Sequence, residues 1–394
     1  MEGRRISPSR ITPVRKKGHN WVKAVIVSCD MVTAYGQGTD ACWKGILSGK
    51  TAISRLNRFN TRAFQSDYAA TVKNLRYLQK DSLVKQMLKS LFSKTSALIP
   101  KDAKLILATT KGEIDLLEKK MITGAGDVSN CSLGHLPGKV SDLAGVKDTG
   151  IIISAACASS TTAIARAAAM VRSRLTDCVL VVACDSITEF VFSGFSSLMA
   201  LDGFVARPFD KNRSGLSLGE AAAFAVIMSE SRAKREKREM IGEIAGWGLS
   251  DDANHMTGPS RDSEGLILAI KKALKTACVK EREVGFISAH GTGTVYNDAM
   301  EIRAFRAVFK NEKTPVYSVK GGIGHTIGAA GLVETIIALR ALKERKVPPT
   351  VNLEDVDNDA LGWVSPGQHP AEENKKALIT NAGFGGINAA LVLA

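Results

Sequence analysis

Cys157 sits in Gly150-IIISAACASSTTAIARAAAMVRS, where the β-branched run Ile151 to Ile153 stops and an alanine-rich helical pattern begins. A cysteine at a strand-to-helix turn sees the unpaired N–H groups of the first helical turn. Their field favours the thiolate and is expected to lower the thiol pKa. The neighbours are small, which leaves room for a bulky thioester. The stretch offers a nucleophile, although the same pattern also suits an inert buried thiol.

Three further segments carry residues able to act with it. In Ser288-AHGTGTVYNDAMEI a strand ends at His290, and flexible glycines would present the imidazole to a cleft. Thr292 and Thr294 offer hydroxyls to a polar ligand, and Asp298 and Glu301 could share one helix face. A lone histidine there also reads as a hydrogen-bonded core residue. In Ser318-VKGGIGHTIGAAGLVE, Lys320 precedes a glycine-rich turn and His325 is expected to open a helix, whose N-terminus disfavours imidazolium. The glycine spacing fits neither a phosphate loop nor a dinucleotide fingerprint. In Thr380-NAGFGGINAALVLA, glycines between two strands force a turn whose exposed N–H groups suit an oxyanion hole or, equally, a plain hairpin.

One cysteine, two histidines, a lysine and a backbone-amide turn fit thioester chemistry. Cysteine takes up an acyl group. Neutral imidazole N–H groups stabilise negative charge on the carbonyl oxygen of a second thioester, which is what decarboxylating a malonyl thioester requires. The resulting carbanion attacks the acyl-cysteine and forms a carbon–carbon bond.

Short β-branched runs alternating with helical patterns must position these groups, which predicts an α/β fold with mostly parallel sheets. The expected strands are Val22–Cys29, Lys104–Ala108, Thr149–Ser154, Cys178–Ala183, Ala221–Met228, Gly285–Ala289, Pro315–Ser318, Ala377–Thr380 and Asn388–Leu393. Strand, turn and small-residue helix describe both Thr149–Ser173 and the segment starting at Pro315. The pattern predicts two related halves, 21–240 and 241–394, with helix N-termini facing one central site. The charge-dense Glu230-SRAKREKRE is expected as a solvated helix end joining them.

At 394 residues with 45% hydrophobic and 23% charged, the chain suits a large globular core. Seven scattered cysteines without CxxC spacing argue against a disulfide framework or a zinc site. No apolar run reaches membrane-spanning length and no signal segment is evident, so a cytoplasmic protein is expected. The formal charge is +14, part of it in residues 1–20, a basic tail expected to be disordered. Basic residues are not interleaved with aromatics, so no specific nucleic-acid binding is expected. The charge suits an acidic partner.

With these motifs in order, the chain from about Trp21 to Ala394 resembles the elongating, type II-like β-ketoacyl-acyl carrier protein synthases of the thiolase superfamily. Ala206-RPFDKNRSGLSLGEAAAFAVI and Gly246-WGLSDDANHMTGPSRDSEG support the resemblance. It implies a five-layered αβαβα fold of two pseudo-duplicated halves, working as a homodimer. It implies decarboxylative condensation of malonyl-acyl carrier protein with an acyl group delivered by acyl-acyl carrier protein, giving 3-oxoacyl-acyl carrier protein. It casts Cys157 as the nucleophile and His290 and His325 as the pair assisting decarboxylation and condensation. Lys320 orders the site, with Glu334 behind the histidines. Thr292 and Thr294 contact pantetheine. The N–H groups of Cys157 and Phe384 form the oxyanion hole, and Phe384 and Phe195 act as gates. No metal or organic cofactor is implied, since the phosphopantetheine arm belongs to the substrate.

The departures from the family pattern point to a specialised acyl chain. The NAGFGGIN loop is one residue shorter than usual. Lys111 falls near the expected acyl pocket and dimer interface, where it needs a partner such as Glu113. Met199 stands where an arginine often meets the carrier. Alternatives are a ketosynthase of a polyketide or other secondary pathway, and a non-catalytic partner subunit, which the intact Cys157, His290, His325 and Lys320 disfavour.

Overall fold

The structure is a computed structural model that describes residues 22–78, 81–129, 131–310 and 312–394. The basic tail expected to be disordered lies outside the described residues.

Ten main strands carry the fold. They are β1 (Ala24–Thr33), β2 (Lys104–Ala108), β3 (Ile151–Ile153), β4 (Cys178–Asp185), β5 (Ala221–Ser229), β6 (Gly242–Asp251), β7 (Val284–Ser288), β8 (Val316–Tyr317), β9 (Lys376–Gly383) and β10 (Ile387–Leu393). The first five lie in the order β3-β2-β4-β5-β1 and the last five in the order β8-β7-β9-β10-β6. In both sets three strands are parallel and the last two pairings are antiparallel. The same order and the same directions occur twice, so the chain is a pseudo-duplication. The two sets meet where β1 pairs with β6 at Val25↔Glu243 and Ile26↔Gly242.

Mixed pairing corrects the expectation of mostly parallel sheets. Each half ends in a strand that returns antiparallel, as β9 and β10 do across the glycine turn. β6 was not among the expected strands, because its Gly246 and Gly248 break the β-branched pattern. Both positions are needed: a β-carbon at Gly248 would stand 2.0 Å from the carbonyl oxygen of Ala269.

The main helices are α1 (Leu83–Phe92), α2 (Leu136–Ala144), α3 (Ser159–Arg172), α4 (Glu189–Ser197), α5 (Glu264–Ala277), α6 (Val295–Phe309) and α7 (Ala330–Glu344). β4 is buried along its whole length, so both of its faces need cover. Val179, Val181 and Ala183 face a core shared with α3 and α7, whereas Leu180 and Val182 face one shared with α1 and α2. In the second half, Leu378 and Val392 join a third core with α5 and α6. Five layers result, αβαβα, with α3 and α7 in the middle; this is the thiolase fold. The alanines of α3 suit that central place, since small side chains let a helix lie between two sheets.

The charge-dense segment begins with a short helix, Glu230–Arg235, between β5 and β6. It is not wholly solvated. Arg232 is buried and pairs with Asp102, Asp177 and Glu236.

Candidate active site

Cys157 stands between the end of β3 and the start of α3. Ala156 before it has φ of 46°, a left-handed conformation that costs a non-glycine residue energy. Ser159 braces the bend: its Oγ accepts the Ala155 N–H at 2.8 Å and donates to the Ala156 carbonyl at 2.6 Å. The thiol is buried, and burial pushes its pKa up to about 11. The Lys320 ammonium and the N–H of Phe384 oppose that rise without reversing it. The expected lowering by the helix N-terminus is thereby corrected, because desolvation of the charged form is the larger effect here.

His290 follows β7 and is held by its backbone. Its N–H and that of Gly291 donate to the two oxygens of Glu301 at 2.7 and 2.6 Å. Asp298, one turn earlier on α6, accepts from the N–H of Phe209 and of Gly293. The two carboxylates do lie on the same helix, and they clamp the loop that presents the imidazole. Burial, then the neighbouring Asp298, raises the Glu301 carboxyl to about 7.

Behind the histidines lies a buried polar network. Lys320 Nζ donates to the carbonyl oxygen of His290 and to Glu334. Asn381 Nδ2 donates to Glu334 Oε2 at 2.7 Å and lies 3.2 Å from His290 Nδ1. Thr161 on α3 donates to Asn381 Oδ1, which fixes the amide orientation. His290 Nδ1 is therefore the acceptor, and its proton sits on Nε2.

His325 lies just outside the helical segment it was expected to open: it follows the single turn Lys320–Ile323, and a 3-10 turn, Ile327–Ala329, begins two residues later and runs into α7. Its N–H donates to the Ser217 carbonyl at 2.7 Å, and its Nδ1 accepts the Ile327 N–H at 3.3 Å. That leaves Nε2 as a buried donor without a protein partner. The two rings meet edge to face, centroids 5.1 Å apart. The ligand-type atoms of Cys157, His290 and His325 all lie within 4.8 Å of one another. Burial first, and then Lys320, holds both imidazoles well below the usual histidine range, so both are neutral at neutral pH. Neutrality was expected for His325, but its cause is burial rather than a helix terminus.

The glycine turn joins β9 to β10 beside the cysteine. A β-carbon on Gly383 would lie 3.2 Å from the Cys157 nitrogen. The ring centroids of Phe384 and Phe195 are 5.7 Å apart. Both rings line a cleft of about 430 Å³ that reaches Cys157, His290 and His325, with Thr292 and Thr294 on its wall. The two threonine hydroxyls are 2.9 Å apart. Lys111 is exposed and is not among the cleft-lining residues. Its expected partner Glu113 instead accepts from Ser82 and Lys139.

Asn381, Glu301 and Thr161 are the supporting residues that sequence reasoning did not assign. Asn381 was legible only as a polar residue inside a buried strand, since its partners come from three distant segments.

A thiolase-fold protein with one buried cysteine facing two neutral histidines belongs, as a class, with the condensing enzymes of thioester chemistry. The chain belongs to the β-ketoacyl synthase family: residues 102–233 match its N-terminal domain and residues 241–354 its C-terminal domain. It is 28% identical over 407 residues to 3-oxoacyl-[acyl-carrier-protein] synthase 2 of Vibrio cholerae, covering 94% of this chain and 98% of that protein. Among solved structures it resembles the ishigamide ketosynthase/chain length factor, with TM-score 0.86, 27% identity and coverage of 95% and 99%. A type II polyketide ketosynthase solved with its acyl-carrier protein shares the fold at TM-score 0.83 and 23% identity, with coverage of 95% and 99%.

Proposed function

We propose that this chain is a β-ketoacyl-[acyl carrier protein] synthase that elongates an acyl group held on Cys157. The observation that carries the reading is the convergence of Cys157 with a ring nitrogen of each of two histidines within 4.8 Å, beside a backbone turn, with each Nδ1 already occupied as an acceptor.

Cys157 Sγ attacks the thioester carbonyl of an acyl-acyl carrier protein. The oxyanion accepts from the N–H groups of Cys157 and Phe384, and the carrier thiol departs with the cysteine proton. Malonyl-acyl carrier protein then places its thioester oxygen against the Nε2–H groups of His290 and His325. Carbon dioxide leaves, and the electron pair of the broken bond becomes an enolate. Its carbon attacks the acyl-cysteine carbonyl, the Cys157 thiolate is expelled and reprotonated, and 3-oxoacyl-acyl carrier protein is released. Lys320, tied to Glu334, favours the thiolate and disfavours imidazolium. Thr292 and Thr294 contact the pantetheine arm, and Phe195 and Phe384 gate the acyl group. No step transfers an electron or calls for a metal, so no cofactor is required.

A homodimer is part of this reading. β3 is an edge strand whose first residue, Ile151, is exposed, and a second copy would cover it. A specialised or polyketide pathway is the second reading, supported by the likeness to the ishigamide ketosynthase/chain length factor. Among the described residues, no helix is long and apolar enough to cross a membrane.

Incubating the protein with a panel of acyl-acyl carrier proteins and weighing the Cys157 peptide by mass spectrometry tests the assignment. An acyl adduct that malonyl-acyl carrier protein converts to a 3-oxo product is expected. An unmodified Cys157 across the panel would sink it, and preference for ordinary saturated chains would sink the specialised reading.

A further inference from the structure

Asp185 is the last residue of β4, wholly buried where the parallel strands β2, β3 and β4 end. Its carboxylate joins two segments far apart in sequence. One is the loop that follows β2. Oδ1 accepts the Thr109 hydroxyl at 2.9 Å, the Thr110 N–H at 3.1 Å and the Lys111 N–H at 3.2 Å, and Oδ2 accepts the Thr110 hydroxyl at 3.0 Å. The other is the 3-10 turn Ile327–Ala329, whose Gly328 N–H donates to Oδ2 at 2.8 Å. The fit is close, since a β-carbon on Gly328 would stand 2.6 Å from that oxygen. Ile327, one residue earlier, has φ of 54°, an outlier for a β-branched side chain that persists only where its surroundings enforce it. The N–H of this strained residue is the donor that occupies His325 Nδ1. Glu334, Asp298 and Glu301 serve Lys320 and the His290 loop; Asp185 serves neither.

We propose that Asp185 is the positioning residue for His325, holding the strained turn whose Ile327 N–H keeps the imidazole proton on Nε2. The inference rests on the condensing-enzyme reading. A neutral imidazole presents Nε2–H only while Nδ1 is the acceptor, and a donor aimed at Nδ1 enforces that tautomer. Ile327 and Gly328 offer consecutive N–H groups, one to His325 and one to Asp185, so the carboxylate that anchors the second sets where the first points. Hydrogen bonds to an ionised oxygen are the strong class, which suits them to holding an unfavourable backbone conformation. Through the N–H groups of Thr110 and Lys111, the same carboxylate fixes the turn against the end of β2. Asp185 thus does for His325 what Glu301 does for His290.

Asp185→Asn keeps the shape and replaces one acceptor oxygen by an NH2 donor. The threonine hydroxyls can turn to accept from it, but the backbone N–H groups cannot, so either Gly328 or the Thr110–Lys111 pair loses its partner. The test measures the two half-reactions separately, acylation of Cys157 by an acyl-acyl carrier protein and conversion of the acyl-enzyme by malonyl-acyl carrier protein. Acylation is expected to stay within about threefold of wild type while conversion falls about tenfold or more, since a misplaced donor costs only the step it serves. Nitrogen NMR of protein labelled at histidine is expected to show the His325 ring signals moved, with the Nδ1–H tautomer gaining. Should Asp185→Asn not fold, Thr110→Val removes one donor to Oδ2 and leaves the backbone in place; the same split is expected at about threefold. Equal losses in both half-reactions, conversion at the wild-type rate, or unmoved His325 signals in the folded variant would overturn the proposal and leave the condensing reading intact. If the wild-type protein forms no acyl-enzyme, the condensing reading itself fails, and the proposal with it.

Discussion

Gly331 of α7 lies so close to Thr161 of α3 that a β-carbon on it would stand 1.8 Å from the Thr161 hydroxyl. That hydroxyl holds Asn381, and Asn381 sits against His290. A tight contact between the two central helices therefore also underlies the site. Gly331→Ala is expected to destabilise the fold by about 1–3 kcal/mol, because the new β-carbon would meet the Thr161 hydroxyl, the Asn381 amide oxygen and the Thr161 backbone nitrogen, all fixed in one buried hydrogen-bonded network. Thermal or denaturant unfolding would measure it, and unchanged stability would show that the helices can separate freely.

Cys157→Ala should abolish acyl-enzyme formation. Malonyl thioester decarboxylation should persist, since the Nε2–H donors of His290 and His325 remain. Loss of both activities with a native circular dichroism spectrum would mean that the cysteine also organises the histidines.

Replacing either histidine by alanine removes a donor aimed at the second thioester. Condensation is expected to fall by about 10²–10³-fold, with acylation of Cys157 affected far less. Single-turnover acylation and full turnover, measured side by side, separate the two. Equal losses in both would place the histidines in the first half-reaction.

Lys320→Met would leave Glu334 buried without its cation, at a cost of about 3–5 kcal/mol. Lys320→Met combined with Glu334→Leu should recover much of that stability and little of the condensation rate. A double variant that condenses normally would reduce the ion pair to a structural part.

The raised thiol and lowered imidazoles set the pH profile. With the Cys157 thiol pushed up to about 11, its thiolate fraction grows about tenfold per pH unit through neutrality. Alkylation by iodoacetamide should therefore keep rising to about pH 10, and a plateau below about pH 8 would contradict the burial argument. On stability, the unfolded thiol ionises first, so the contribution of this group falls as pH rises from about 8.5 towards 11. Because both imidazole pKa values are lowered, they should add no acidic limb to condensation until well below pH 6.5.

The four residues that the fold brings together, Cys157, His290, His325 and Lys320, were legible as residue types at pattern breaks: Cys157 after an isoleucine run, His290 at a strand end, Lys320 and His325 beside glycines. Most strands were legible too, because β-branched runs bounded by turns report local preference directly. β6 was not, since its glycines answer to α5 packing across the core rather than to strand propensity. Likewise Lys111 suggested Glu113 by proximity in sequence, whereas the fold gives Glu113 to Lys139, a residue of α2.

The sequence by itself determined the fold class and which side chains are available, through periodicity and turn chemistry that act over a few residues. Only the tertiary structure decided their charge states and their partners. Burial outweighs the helix terminus at Cys157, Asn381 matters because β9 lies beside His290, and Glu301 because α6 folds back onto the loop that follows β7. Desolvation and hydrogen bonding depend on what surrounds a group in space, which no local spacing encodes.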